Sequence, residues 1–182
     1  LNRVLDPNPS QIFGRINANG QVFLTNPAGI YFGRSASANV GALTATTHAI
    51  GNDDFMAGQF SFTRNGATGS VVNEGSLSAD PHGYIALLAP EVRNHGVIVA
   101  RMGTVALAAG EAYELQFEKG LLAGISVAPA AIRALVENGQ AVQAPGGQIL
   151  LSAQAASRLQ GGVVNNAGSL EATGLVDQGG VI

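Results

Sequence analysis

Three histidines and a scatter of carboxylates are the side chains in this sequence that could do acid–base or metal chemistry. His48, His82 and His95 form no His-x-x-x-His pattern, and the chain has no cysteine. Zinc sites are built from such patterns, so the sequence predicts no zinc site. The pair Asp53-Asp54 offers the oxygen ligands that calcium prefers, but the nonapeptide repeat of calcium-binding β-rolls is absent. We therefore expect neither a metal ion nor a cofactor.

The carboxylates are not arranged as a hydrolytic pair. Many enzymes that cleave polysaccharides, including those with a parallel β-helix fold, need two carboxylates that face each other across the scissile bond. Glu74 and Arg93 are placed to approach each other, and a surface ion pair accounts for that proximity. No Gly-x-Ser-x-Gly element and no phosphate-binding glycine loop occurs, so the sequence favours a protein that is not an enzyme. The acids Asp80, Glu91, Glu111 and Glu114 are scattered near the expected corners of the chain.

Composition excludes further classes of function. Nine basic residues against twelve acidic ones give a net charge of −3, which is no footprint for nucleic acid. The apolar runs are too short to span a bilayer as a helix. With 46% apolar residues, 12% charged residues and 25 glycines, the 182-residue chain is typical of a β-rich fold with many turns. We expect one domain over residues 1–182, held together by packing because it has no disulfide.

A repeat of about twenty residues organises much of the chain. Gly83 and Gly103 each begin an apolar run and lie 20 positions apart, and Gly147 begins another 44 positions further on. That second gap is about two periods long and contains an insertion, which we place at about residues 111–139. A short Asn-initiated segment recurs between these runs, at Asn73, Asn94, Asn138 and Asn166.

This period predicts an all-β fold, a right-handed parallel β-helix (β-solenoid), whose rungs pair about 4.8 Å apart. The alternating residues Ile85, Val105 and Ile149 should then stack in an inward column, with each buried Ile contributing roughly 1.5–3 kcal/mol. The neighbouring inward columns should be Leu87, Leu107 and Leu151, and Ala89, Ala109 and Ala153. The four asparagines are predicted to form a structural corner ladder, because stacked amides bond to one another and to turn backbones. A polar stripe that binds sugars is the alternative for the same residues.

The insertion is predicted to contain an extra-helical hairpin and a short helix. Residues 113–117 alternate like a strand, and Lys119-Gly120 is suited to a turn. Residues 128–138 have a proline near the first turn, Gly139 just past the end, and apolar residues at helical spacing. A second helical patch is expected at residues 153–159. We expect these additions mainly to shield a side of the β-helix, with a functional role as the alternative.

The stretch before the repeats alternates strands with sharp corners. Asn19-Gly20 is suited to a tight turn, and residues 22–25 alternate as a strand. Asn26-Pro27-Ala28-Gly29 then forms a corner, because proline restricts Asn26 to extended geometry and Gly29 can take angles closed to other residues. Further on, residues 51–54 are expected to turn, and residues 59–63 to form a strand that ends at Asn65-Gly66.

These residues carry a family resemblance. Asn26, Pro27, Ala28, Gly29 and Ile30, followed by Phe32-Gly33 and by residues 39–47, resemble the haemagglutination-activity or two-partner-secretion domain. That domain belongs to filamentous haemagglutinin-like and high-molecular-weight-adhesin-like exoproteins of Gram-negative bacteria. The resemblance extends over most of the chain, to residue 166. The family's usual string is Asn-Pro-Asn-Gly-Ile, so Ala28 departs from it at the third position.

The resemblance implies an N-terminal secretion and folding-nucleation domain of a large exoprotein. The implied partner is an outer-membrane β-barrel transporter with periplasmic polypeptide-transport-associated domains, and residues 26–30 are the implied secretion motif. The implied location is extracellular or at the bacterial cell surface, reached through the periplasm. This chain shows no signal peptide, and the resemblance implies an N-terminal cap and an export signal further upstream.

An adhesive or self-assembling module is the alternative function. The ends of an uncapped β-helix expose strand edges that can pair with another copy, which would give fibres. The same module could instead bind a host or cell-surface glycan. A β-helix enzyme that degrades polysaccharides is the third hypothesis.

Overall fold

The computed structural model describes residues 1–156 and 161–173, which form nineteen strands and one short helix. None of these elements is a helix long and apolar enough to cross a membrane. The helix, α1, is Asn52–Met56. The strands are β1 Asn2–Arg3, β2 Ser10–Ile12, β3 Arg15–Thr25, β4 Ile30–Phe32, β5 Ser37–Thr46, β6 Ser61–Thr63, β7 Ser70–Asn73, β8 Ser76–Ala79, β9 Tyr84–Leu88, β10 Glu91–Asn94, β11 Val97–Ala100, β12 Thr104–Ala109, β13 Ala112–Glu118, β14 Leu121–Ala128, β15 Ala134–Asn138, β16 Ala141–Gln143, β17 Gln148–Ala153, β18 Gly162–Asn166 and β19 Ser169–Glu171.

The strands wind into a parallel β-helix, which confirms the predicted fold class. Rungs 1 and 2 consist of β2–β3 and β4–β5. Rungs 3, 4 and 5 contain three strands each, β7–β9, β10–β12 and β15–β17, and rung 6 contains β18–β19. The first face is the parallel sheet β2, β4, β7, β10, β15 and β18. The second face comprises β8, β11, β16 and β19 with the first halves of β3 and β5. The third face comprises β9, β12 and β17 with the second halves of β3 and β5.

The predicted inward columns stack in register. Ile85 pairs with Val105, which pairs with Ile149, and all three are fully buried. The next column consists of Leu87, Leu107 and Leu151. These side chains belong to one continuous core that fills the inside of the coil. The prediction of a stacked apolar interior is therefore confirmed.

Glycines at the corner between the second and third faces let the rungs approach closely. Gly83, Gly103 and Gly147 lie one above another at this corner. A Cβ on Gly103 would lie 2.0 Å from the carbonyl oxygen of Gly83, and one on Gly147 would lie 2.0 Å from that of Gly103. Atoms never approach so closely without bonding, so this column requires glycine for steric reasons alone.

An antiparallel sheet of β6, β13 and β14, which we call the outer sheet, covers the third face. Strands β13 and β14 form the predicted extra-helical hairpin, which turns at Lys119 and Gly120 with φ of 52° and 83°. Its Tyr113 and Leu122 pack with Phe62 on the outward side chains of the third face, making a second apolar cluster. Shielding, the expected role of the additions, is therefore what this hairpin does.

The helix predicted at residues 128–138 is wrong. Residues 134–138 form β15, a central strand of the first face that pairs with both β10 and β18. Ala130 makes only an isolated bridge with Ala155. The apolar residues at helical spacing fit a strand as well, because Val136 and Ala134 point into the core while Leu135 packs on the other side. Two long ladders of backbone hydrogen bonds override a weak helical propensity.

Three smaller expectations also need correction. In the predicted helical patch, Ala153 ends β17 and Ala155 forms a bridge, while residues 157–160 lie outside the described residues. Asn19-Gly20 makes no tight turn: β3 runs through it with a register shift between Ala18 and Gln21. Residues 51–54 lead into α1 instead of forming a simple turn.

Candidate functional site

The corner at residues 26–30, which we call the motif corner, joins the end of rung 1 to the start of rung 2. The amide N–H of Asn26 donates to the carbonyl of Thr46 at 3.0 Å, as the last bond between β3 and β5. The N–H of Gly29 donates back to the carbonyl of Asn26 at 3.0 Å and closes the turn. Ile30 then enters β4 and is buried in the main core. The corner therefore sets the path by which the chain begins its second rung.

The side chain of Asn26 is fully buried and uses its polar atoms inside the fold. Its Oδ1 accepts the N–H of Ala28 at 2.9 Å. Its Nδ2 donates to the carbonyl of Asn8 at 3.0 Å and to the Oγ of Ser10 at 2.9 Å. Asn26 thus ties three parts of the chain together: the loop before rung 1, the start of β2 and the motif corner itself.

Gly29 and Gly69 let the start of rung 3 pack directly on the motif corner. Gly29 has a φ of 125°, which L residues with a side chain rarely adopt, and its Cβ would lie 3.1 Å from the carbonyl oxygen of Ser70. A Cβ on Gly69 would lie 2.5 Å from the backbone of Ala28. The N–H of Gly69 also donates to the carbonyl of Pro27 at 3.3 Å. The motif corner is clamped between residues that precede and follow it.

Only Pro27 and Ala28 of the motif corner face outward. Pro27 is exposed and Ala28 is half-buried, and both line a shallow groove of about 400 Å³. Leu5, at the rim of this groove, leaves 91% of its surface exposed. Sequence reasoning singled out residues 26–30 but missed the contributions of Asn8 and Ser10. The rigid Asp6-Pro7-Asn8-Pro9 loop was the available signal for them.

The four asparagines of the corner ladder lie one above another between the first and second faces. The Nδ2 of Asn73 donates to the Oδ1 of Asn94 at 2.8 Å, and that of Asn94 donates to the Oδ1 of Asn138 at 2.8 Å. Asn138 continues the series to Asn166 at 2.7 Å. Phe32 occupies the same position in rung 2, where it is buried. The ladder begins at rung 3, and its amides are used by their neighbours and by the turn backbone.

His48 is a buried titratable group between the β-helix and the outer sheet. Its Nε2 lies 3.2 Å from the carbonyl oxygen of Gly110, so Nε2 carries the proton and Nδ1 accepts from the hydroxyl of Thr47 at 3.3 Å. The ring also packs against Tyr113, with a centroid distance of 4.6 Å. Burial lowers the pKa of His48 to about 4, despite the stabilising carbonyl of Gly110. A neutral imidazole therefore lies beside the start of β13, where the β13–β14 hairpin leaves the β-helix.

Several other titratable side chains form pairs at the surface. His95 lies 3.4 Å from Glu137, and Arg93 pairs with Glu91. Glu74 and Arg93 therefore do not form the ion pair with each other that the sequence suggested. Glu74 instead accepts hydrogen bonds from Tyr31 at 3.0 Å and Arg34 at 3.1 Å. The Tyr31 hydroxyl, followed by the Arg34 guanidinium, holds the pKa of Glu74 below its usual value. Within residues 1–156 and 161–173, no cluster of three or more metal-binding side chains is found.

The fold and the motif corner match one family over the whole chain. The family model described as the TPS secretion domain matches residues 1–182. The chain belongs to the TPS secretion domain family. It is thus a two-partner secretion domain, as the residues of the motif corner predicted.

Named relatives and a solved structure agree with this assignment. Heme/hemopexin-binding protein of Haemophilus influenzae, strain Rd, is 31% identical over 160 residues, 84% of this chain. A second Heme/hemopexin-binding protein of H. influenzae is 39% identical over 74 residues, 41% of this chain. The crystal structure of the HMW1 secretion domain from H. influenzae superposes with a TM-score of 0.86 and 30% identity. That match covers 99% of this chain and 47% of the other.

Membership of the family shows the general role of this TPS domain. Proteins of the family are secreted exoproteins of Gram-negative bacteria, and their secretion domains work with a partner transporter in the outer membrane. The aligned parts make up 17% and 8% of the two curated relatives. The TPS domain therefore corresponds to a small part of those long proteins.

Proposed function

We propose that the motif corner is the folding nucleus of an exported chain, and that this domain starts the folding of a large exoprotein outside the cell. The observation that supports this most is the use of Asn26. Its buried amide bonds to residue 8, residue 10 and residue 28, which lie in three successive segments. These bonds form as soon as the first two rungs exist, before any later rung is needed.

The parallel β-helix suits this role for a physical reason. A single rung cannot satisfy its backbone groups or bury its apolar side chains, so each rung needs a preformed neighbour. Rungs 1 and 2, held by the motif corner, give β7 and β8 a template with which to pair. Each added rung then contributes hydrogen bonds and buried apolar surface outside the membrane. Folding in this order favours outward movement of the chain without ATP.

We infer that the transporter recognises the domain before the motif corner has folded. In the folded domain Asn26 and Ile30 are buried and unavailable to a partner, whereas Pro27 and Ala28 remain at the surface. Polypeptide-transport-associated domains on the periplasmic side of the transporter are the proposed receptor for the extended chain. The exported protein then functions outside the cell or at its surface.

The test replaces Asn26 with Ala in the full exoprotein, expressed together with its transporter. We expect export to fall strongly and the purified domain to refold more slowly, because the amide of Asn26 has no substitute. Asn39→Ala is the matched control, since Asn39 is exposed on the second face and its side chain bonds to the exposed Asn17. Normal export and normal refolding of Asn26→Ala would remove the motif corner from the mechanism.

A second variant separates recognition from folding. Ala28→Asn restores the string Asn-Pro-Asn-Gly-Ile at a half-buried position beside the groove. We expect refolding to stay unchanged, because the N–H of residue 28 still donates to Asn26. A change in export with unchanged refolding would show that the transporter reads this side chain directly.

We also infer that the domain is not an enzyme and needs no cofactor. Two polar groups that could act in catalysis have structural roles instead: Glu74 accepts hydrogen bonds from Tyr31 and Arg34, and His48 is buried against Tyr113 with its Nε2 on the carbonyl of Gly110. Incubating the purified domain with polysaccharide substrates and assaying for released reducing ends tests this, and any release that tracks the intact domain would contradict it.

A further inference from the structure

The second face presents a flat and nearly uncharged surface. Its outward side chains form two columns of six, one residue per rung, and their partners are in register from β3 to β19. Small or uncharged residues fill the middle four rungs, and each is exposed or half-buried. The first column is Arg15, Ser37, Ser76, Val97, Ala141 and Ser169. The second is Asn17, Asn39, Ser78, Val99, Gln143 and Glu171.

The few charges on this face lie at defined places. Arg15 lies at the first rung and Glu171 at the last. Asp80 and Arg101 occupy equivalent positions at the corner toward the third face, directly after the paired residues Ala79 and Ala100. Arg15, Asp80 and Arg101 form no ion pair with any residue in the described part of the chain.

We propose that the second face is an interface with a second copy of this chain, packed face to face with the two β-helix axes antiparallel. This inference does not depend on the secretion role. A two-fold axis parallel to the strands, between rungs 3 and 4, sets rung 3 opposite rung 4 of the partner and rung 1 opposite rung 6. Asp80 then faces the other copy's Arg101, and Arg101 faces its Asp80. Arg15 at one end lies beside the other copy's Glu171.

The parallel arrangement of the same faces is disfavoured by charge. In the parallel arrangement each rung faces the same rung of the partner. The corner toward the third face of one copy then lies opposite the corner toward the first face of the other. Asp80 would lie opposite Glu74 of the other copy, so that two carboxylates meet, and Arg101 would have His95 and no acidic residue opposite it. Like charges held together across an interface are unfavourable, and complementary ones select the register. The antiparallel arrangement therefore fits this charge pattern, and the parallel one does not.

The size of the face indicates a weak dimer. Six rungs at about 4.8 Å span about 24 Å, and the two columns with their corners are roughly 15–20 Å wide. Such a face buries on the order of 1,000 Å² in total, at the low end for specific interfaces. We therefore expect the dimer to form at high protein concentration and to weaken with added salt, because its charge pairs are exposed.

Sedimentation equilibrium on the purified chain tests the proposal. We expect a monomer–dimer equilibrium, with the dissociation constant raised about tenfold by Asp80→Arg or by Arg101→Asp, since each reversal places like charges at two symmetric contacts. The double variant with both reversals should recover the affinity, because the pairs form again. Arg133→Asp is the control: it changes charge equally at an exposed loop residue away from this face and should leave the equilibrium unchanged.

Disulfide trapping tests the orientation, and the chain's lack of cysteine gives a clean background. In the antiparallel dimer Ser78 faces the other copy's Val99, so a mixture of the single variants Ser78→Cys and Val99→Cys should form a covalent heterodimer on oxidation. The two cysteines must be on separate chains, because Ser78 and Val99 are also neighbours within one chain. In a parallel dimer Ser78 faces Ser76 instead, so a mixture of the single variants Ser76→Cys and Ser78→Cys should be the pair that links. A chain that stays monomeric at millimolar concentration overturns the proposal, and so does a dimer indifferent to both charge reversals. Preferential linking of the second cysteine pair overturns the antiparallel arrangement.

Discussion

The second and third faces of this β-helix are made of neighbouring strands in the same rungs, yet their outer surfaces differ completely. In β8 and β11 the side chains alternate between buried and at least partly exposed, while every residue of β9 and β12 is buried. The inner sides are alike, with Leu77 and Ile85 in the same core. On the outer side, Ser76 and Ser78 meet solvent whereas Tyr84 and Leu88 lie under the outer sheet.

The same β-helix therefore contains two kinds of strand. An alternating pattern marks a strand covered on one side, and a continuous apolar run marks a strand covered on both. The cover over the third face comes from two distant insertions, residues 61–63 and residues 112–128, which meet in one sheet. The third face should therefore be sensitive to changes on both of its sides, and the second face only on its inner side.

The largest effect is expected from a charge placed on the outer side of the third face, beneath the outer sheet. Leu88→Asp buries an unpaired carboxylate there, at a cost of roughly 4 kcal/mol or more in the free energy of unfolding. Ser78→Asp, on the exposed side of the second face, should change it by less than about 0.5 kcal/mol in dilute solution. Urea unfolding followed by circular dichroism measures both. Equal midpoints for the two variants would break the contrast between the faces.

The stability of the outer sheet packed on the third face should depend on pH through His48. Its pKa in the folded chain is about 4, against an ordinary value of 6.5, so the unfolded chain binds more protons between these values. Stability is then complete above pH 6.5 and falls as the pH drops from 6.5 to 4, by on the order of 3 kcal/mol.

His48→Gln removes this titration while keeping a donor for Gly110. The difference in unfolding free energy between wild type and His48→Gln should therefore change across pH 4–6.5, as measured by urea unfolding at each pH. Parallel pH curves for the two proteins would show that His48 is not buried in its neutral form.

The corner that divides the two faces should tolerate no side chain. Gly103→Ala places a Cβ 2.0 Å from the carbonyl oxygen of Gly83, and the rungs must separate to admit it. We expect a loss of about 2–3 kcal/mol in the free energy of unfolding. Gly20→Ala is the control, since nothing lies within 4 Å of its Cβ. Thermal melts of both variants decide the point, and equal stability would mean that the glycine column is not sterically required.

The smallest effect concerns a hydroxyl beneath the outer sheet. The Oη of Tyr113 accepts the N–H of Gly110 at 2.7 Å and donates to the carbonyl of Ala89 at 3.0 Å. Tyr113→Phe leaves these buried groups unpaired, at a cost of about 1–2 kcal/mol. Tyr31→Phe removes a hydroxyl from the less covered first face, where water can replace the bond to Glu74, and should cost less. Urea midpoints compare them, and a larger loss for Tyr31→Phe would reverse the ranking.

Sequence reasoning reached the fold because the rungs repeat, and it failed where one segment suggested two structures. Residues 128–138 contain helix formers, yet residues 134–138 form a strand. A second repeat was present in the sequence: a valine two positions before each ladder asparagine, at Val71, Val92, Val136 and Val164. These valines pair in register along the first face. A repeat shared by four rungs is a stronger signal than local propensity.

The candidate site was only partly accessible to the same reasoning. Residues 26–30 were predicted as a corner from proline and glycine, which act locally, but the partners of the Asn26 amide lie 16 and 18 positions away. Likewise His48 carries no sequence signal of burial, since its contact with Gly110 joins residues 62 positions apart.

By itself, the sequence determined the coil, its period and its inward columns, because these depend on residue types that recur at fixed spacing. The motif at residues 26–30 and the stretch after it carried the resemblance to the secretion family. Only the tertiary structure decided which face is covered, where residues 134–138 lie and which groups the motif corner binds. Those features arise from contacts between distant segments, whose free energy exceeds local preference once the rungs bring the segments together.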